Sequence, residues 1–252
     1  MKSAALISGA IAAGIALFAC PLAHAADLAL LAAGASKETV SELIPGFEKA
    51  TGHRVVATWA TAPAIAKRVA DGEAFDLVIT RAGDIDGFIA RGRLAPGSRT
   101  DLMKTGVGVA VRAGAPRPDI GSTEALKRAL LAAPTIGRSA GTSGEYIVAL
   151  FARLGLGPQL LPRLKQVPPG KQVADMLVAG DVEIGLQQAS ELIHAPGIAY
   201  LGPLPPELQK TTVYAAGIPT GARQPAAAKA LVEILTGPAA LSAIRHNGMD
   251  PG

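Results

Sequence analysis

An α/β fold is what the sequence predicts, with strands and helices alternating along most of its 252 residues. Three observations carry that expectation. Apolar runs at 28–33, 54–59 and 75–80 each precede a segment with helical spacing, giving βαβαβα and a mainly parallel sheet flanked by helices. The first run is continuous rather than alternating, which suits a strand buried on both faces. Each run then ends in small or polar residues: Gly34-Ala35-Ser36, Ala60-Thr61-Ala62-Pro63 and Thr80-Arg81. In such sheets ligands bind beyond the carboxyl ends of the strands, so Ser36, Thr61 and Arg81 are candidate contacts.

Val40, Leu43, Ile44 and Phe47 share one face of a helix over 37–50; Ser36 stands at its N-cap and Gly52 closes it. Pro63 suits the first turn of the next helix, over 64–70, which stops at Asp71-Gly72. A third helix covers 84–91. Further along, strands are expected at 106–111, 182–186, 198–201 (edge-like) and 211–218, the last able to cross back. Helices are expected at 122–131, 172–179, 226–235 and 238–247. The strand at 182–186 runs into Gln187-Gln188. Consecutive strand residues point to opposite faces, so only one of the two is expected in a cleft.

The stretch around which the chain is organised is 137–146, Gly-Arg-Ser-Ala-Gly-Thr-Ser-Gly-Glu-Tyr, set between Thr135-Ile136 and the helical run that ends at Leu154. It reads as strand, Gly-rich turn and helix. The first turn of a helix carries N–H groups without internal partners and a partial positive charge, so it suits an anion. Ser143 and Gly144 are the candidate donors there, and Arg138 adds a guanidinium fork matched to a carboxylate. An ordinary capped helix after a turn accounts for the same residues. Arg81 has a bland alternative too, an ion pair with Asp84 or Asp86.

Residues 1–25 read as a cleavable secretory signal: Lys2, an apolar run over 4–19, and the small-x-small site Ala23-His24-Ala25. Cys20, the single cysteine, falls inside that segment, and Phe18 makes a poor lipoprotein box, so export to the periplasm without a lipid anchor is expected. A mature chain without cysteine excludes Cys catalysis and Cys-ligated metal. The net charge of +4 is mild and its basic residues scattered, which argues against nucleic acid. No His-Glu-x-x-His, no phosphate-binding loop and no metal-ligand spacing is present, so no cofactor is expected. Residues 141–145 lack the last glycine of a hydrolase nucleophile elbow, and His53, His194 and His246 lie in separate segments. The expectation is therefore a non-enzyme, with a secreted hydrolase as the remote alternative.

In this order of elements, Phe47-Glu48-Lys49-Ala50-Thr51-Gly52, Phe75-Asp76-Leu77-Val78-Ile79, the 141–146 turn, Gly202-Pro203-Leu204-Pro205 and Gly248-Met249-Asp250-Pro251 are the marks of a family. With them the chain resembles the periplasmic solute-binding proteins of ABC importers, specifically the molybdate-binding-protein-like group, over essentially its whole mature length.

The resemblance implies two α/β lobes joined by a hinge, 27–108 plus 217–252 and 109–216, with the ligand in the cleft between. It also implies a monomer that closes on its ligand and docks ABC permease subunits. The family's first hydroxyl contact maps to Ser36. The second falls on Ala62, with Thr61 beside it. The helix start maps to Ser143-Gly144, and a family tyrosine is replaced near Gln188. Arg81 and Arg138 add charge where molybdate sites use mainly neutral donors. The expected ligand is thus a small anion, either a molybdate- or tungstate-like oxyanion or, favoured by the Arg and Gln donors, an organic carboxylate. A sensor component that docks a receptor would use the same cleft.

Overall fold

A computed structural model describes residues 26–252; the expected signal segment and Cys20 lie outside the described residues. The chain opens with β1 (Asp27–Ala33), α1 (Lys37–Thr51), β2 (Arg54–Ala60), α2 (Ala62–Ala70), β3 (Leu77–Arg81), α3 (Ala82–Ala90) and β4 (Thr100–Thr105). It continues through β5 (Val107–Arg112), α4 (Thr123–Ala132), β6 (Ile136–Arg138), α5 (Thr142–Arg153), α6 (Gly157–Leu160), β7 (Leu164–Gln166), α7 (Val173–Ala179), β8 (Ile184–Gln188) and β9 (Ile198–Pro203). It closes with β10 (Thr212–Gly217), α8 (Pro225–Thr236), α9 (Pro238–His246) and β11 (Asp250–Pro251).

Two sheets form two lobes. The first has the order β11-β4-β10-β3-β1-β2 and the second β7-β6-β8-β5-β9. β1 is parallel to both its neighbours, with Leu30 opposite Leu77 and Ala57. Leu28, Leu30, Leu31 and Ala32 have no exposed surface, as the continuous apolar run requires. Each such leucine contributes roughly 1.5–3 kcal/mol through burial. They share a core with Phe47 of α1, Ile65 of α2, Ile85 of α3 and Leu231 and Leu235 of α8. The second lobe has its own core around Val109, Leu126, Ile136, Phe151 and Leu186.

The sheets are mixed rather than mainly parallel. β10 is antiparallel to β3 and β4, β11 to β4, and β5 to β8 and β9. The physical reason is the route of the chain. β5 and β10 enter their sheets from the other lobe rather than through a βαβ crossover, and nothing then forces them parallel. The chain leaves the first sheet after Thr105 and returns at Thr212. Residues 212–216, assigned above to the second lobe, therefore hydrogen-bond in the first sheet.

The two crossings lie side by side. Gln209 clasps the backbone of Val107: its Oε1 accepts from the Val107 amide at 2.8 Å, and its Nε2 donates to the Val107 carbonyl at 2.9 Å. Gly106 leaves room for that clasp, because a Cβ on it would stand 2.6 Å from Gln209 Cδ and displace the amide. A second fastening holds the returning C-terminal segment. The buried Asp76 carboxylate accepts from Ala29 N at 2.9 Å, and from Arg223 N and Gln224 N at 2.7 and 2.9 Å.

Candidate ligand site between the lobes

The ends of β1, β3, β6 and β8 meet at the seam between the lobes. Ser190 Oγ donates to the Ala35 carbonyl at 2.9 Å across it. Arg81 NH1 donates to Glu145 at 3.2 Å. A Cβ on Gly141 would stand 3.7 Å from that of Thr61. The loops that the sequence singles out in each half therefore face one another.

Ser36 is fully buried in the short turn Gly34–Ser36; its hydroxyl donates to the Ala33 carbonyl at 2.8 Å and does not cap α1. Thr61 is exposed at the start of α2, and its hydroxyl makes no cap there either. Arg81 makes the anticipated ion pair with Asp84. It forms a two-pronged pair with Asp84, at 2.7 and 3.0 Å, and also reaches across the seam to Glu145. The hydrogen bond to Asp84 is the main cause that raises its already high pKa further.

Arg138 lies across the first turn of α5, donating to the Ser139 carbonyl at 3.1 Å. Two amides of the turn are satisfied from within it. Ser139 Oγ accepts from Gly141 N at 3.3 Å and Gly144 N at 3.1 Å, and bonds Ser143 Oγ at 2.8 Å. The Gly144 amide, expected to be open for an anion, is thus occupied by a side chain. Gly144 is required for a different reason: a Cβ on it would fall 1.8 Å from the Ser139 carbonyl oxygen.

The two glutamines point apart, as a strand demands. Gln187 turns to the start of α7, accepting from Val173 N at 3.0 Å and bonding Gln172. Gln188 turns to the first lobe, donating to Thr212 Oγ1 at 3.3 Å and to the Tyr214 hydroxyl at 3.0 Å. Gln188 is 2% exposed, and its Oε1 has no hydrogen-bond partner among the described residues. Buried polar atoms are nearly always paired, so this one marks a place where a partner is expected. A tyrosine hydroxyl does reach this position, but from β10.

Tyr214 and Glu191 also stand at the seam, and no motif in the sequence singles them out. Burial pushes the Tyr214 phenol up, and the negative charge of Glu191 adds to it, against the pull of Gln188, Thr142 and Arg81. Glu191 follows Ser190 in the turn after β8, with Oε1 3.2 Å from the point a Cβ on Gly34 would occupy. Loss of solvent pushes its carboxyl up to about 7, with the Gln187 amide as a weaker downward pull. The run at 187–191 was legible as a strand end; that its last residue folds back under Gly34 depends on the other lobe. His194 and His246 come together as well, stacked at 4.6 Å between ring centres, with His194 Nε2 2.7 Å from the His246 carbonyl oxygen. That is a packing contact between a helix of the first lobe and the segment after β8.

Residues 28–250 match the family model of the bacterial extracellular solute-binding proteins. The chain belongs to that family. Its structural neighbours share the two-lobed periplasmic binding fold. The periplasmic molybdate-binding protein of Azotobacter vinelandii aligns with a TM-score of 0.76 at 20% identity, over 89% of this chain and 99% of that one. The sulfate-binding protein of Mycobacterium tuberculosis H37Rv aligns with a TM-score of 0.71 at 18% identity, over 90% and 87%. A curated relative in sequence is an aconitate isomerase from a Pseudomonas species, 34% identical over 230 residues, covering 89% of this solute-binding protein and 87% of that protein.

Proposed function

We propose that the cleft of this solute-binding protein takes up a small polycarboxylate of the aconitate kind in the periplasm, and hands it to the permease subunits of an ABC-type importer. The observation that carries the ligand class is the pair of arginines, one per lobe. Arg81 and Arg138 end β3 and β6 at the seam. Arg81 already holds a carboxylate across it, that of Glu145. A polyacid with carboxylates at both ends can exchange for such a contact and engage a guanidinium from each lobe, which is how a ligand favours a closed form. A tetrahedral oxyanion needs only neutral donors, and Arg138 has no ion-pair partner among the described residues. The 34% identical relative, named for a tricarboxylate, supports the same class.

A second reading, that the protein also isomerises what it binds, is favoured by the name of that relative and by Glu191. An acid beside an anion site opposes binding unless it is protonated or takes part in chemistry.

The test is a thermal-shift and calorimetric screen of the purified protein against molybdate, tungstate, sulfate, and di- and tricarboxylates including both geometric isomers of aconitate. A ligand at about a hundredfold its dissociation constant stabilises by roughly 2.7 kcal/mol. The expected result is a shift with a tricarboxylate. A shift with molybdate or tungstate alone overturns the assignment.

A further inference from the structure

We propose that Glu191 is the acid–base group of this seam, taking a proton from the methylene carbon of a bound propene tricarboxylate and returning it to the far end of the same allyl unit. The inference rests on the isomerase reading above and adds the residue that performs it.

The first ground is position. Glu191 stands where β8 of one lobe meets the Gly34–Ser36 turn of the other, one residue after the Ser190–Ala35 contact. The second is availability. The other two seam acids, Asp84 and Glu145, are both held by Arg81, whereas Glu191 forms no ion pair among the described residues. Gly34, Ala35 and Ser36 bring no ionisable side chain to it. The titratable group facing it is the buried Tyr214 phenol, which stays protonated at neutral pH, with Arg81 beyond. A carboxyl desolvated without a cation is poised to exchange a proton near neutrality, where a general base is most effective.

The third ground is the unpartnered Gln188 Oε1. A half-turn of that amide lets Oε1 accept from the Tyr214 and Thr212 hydroxyls and turns Nε2 towards a guest. Nε2 is then a donor suited to a carboxylate oxygen on which charge develops. Arg81 and Arg138 fix the outer carboxylates.

The step balances without a co-reactant. The C–H bond of the methylene breaks and its proton goes to the Glu191 carboxylate. The electron pair delocalises through the allyl unit into the adjoining carboxylate. The former vinyl carbon then takes the proton back from Glu191, the double bond moves by one position, and Glu191 is restored. Because the two outer carbons exchange roles, the product can be the other geometric isomer of the same acid.

The test follows interconversion of the two aconitate isomers by proton NMR in D2O, alongside ligand-induced thermal shifts, for the parent protein and Glu191→Gln. The parent is expected to interconvert them, with deuterium appearing at the outer carbons. Its kcat/KM should rise with pH through about 7. Glu191→Gln, which removes a like charge from an anion site, is expected to keep a thermal shift with the acid. It should lose interconversion by at least about a hundredfold, the scale of a general base. Parent-like interconversion by Glu191→Gln overturns the assignment of Glu191. A parent protein that binds the acid but neither interconverts it nor exchanges deuterium overturns the proton transfer and leaves the binding function standing. Absence of any thermal shift with a tricarboxylate overturns both.

Discussion

Gly144 is required by a contact that the sequence does not display. Its place at a helix start was legible from the Gly-rich turn; its crowding against the Ser139 carbonyl was not, because that contact depends on how the turn folds over α5. Ala in a helix gains about 1 kcal/mol over Gly. Here a Cβ 1.8 Å from a backbone oxygen reverses the sign. Gly144→Ala is expected to cost about 1–3 kcal/mol, the range for overpacking. A melting curve checks it, and a temperature at or above the parent's would show that the turn relaxes freely. Ser36 teaches a related lesson. A serine before a helix reads as a cap, but a three-residue turn intervenes and its hydroxyl serves the preceding strand.

At the scale of elements, the opening βαβαβα pattern was readable because β1 and β3 sit deep in the sheet and carry unbroken apolar runs, Leu28–Ala33 and Leu77–Ile79. β4 was not. Thr100-Asp101-Leu102-Met103-Lys104-Thr105 has two apolar residues in six and owes its strand state to β10, which arrives more than a hundred residues later. The same delay hid the antiparallel pairings and moved the lobe boundary. The crossing segments are fastened by the Gln209 clasp on Val107. Gln209→Ala takes the clasp from that amide, a loss of about 1–3 kcal/mol for a buried group, while the carbonyl keeps the Leu204 amide at 3.0 Å. Hydrogen exchange is expected to speed up at Val107, with a lower melting temperature. Unchanged protection at Val107 would show that the crossings are held by the flanking strands alone.

For the whole molecule, stability carries the signature of Glu191. Its carboxyl is raised from an ordinary 4.5 to about 7 in the folded chain. The protonated form is therefore favoured by folding. The contribution is full below about 4.5 and is lost as pH rises through about 7, amounting to at most about 3 kcal/mol. The exposed acids Asp27, Glu73 and Glu207 have lowered values and act at the acid end of the scale, outside this window. Melting curves from pH 5 to 8 should fall more steeply for the parent than for Glu191→Gln; parallel curves would show that the carboxyl is solvated. The two lobes also complete at different times as the chain is made. All of the second sheet lies between Val107 and Pro203, so that lobe has every strand it needs before the last fifth of the protein exists. The first sheet waits for β10, and the Asp76 carboxylate waits for Arg223 and Gln224. Until they arrive, β3 presents an unpaired edge and the core under α8 is open, the state in which a chain aggregates most readily. Folding from a finished chain bypasses that interval.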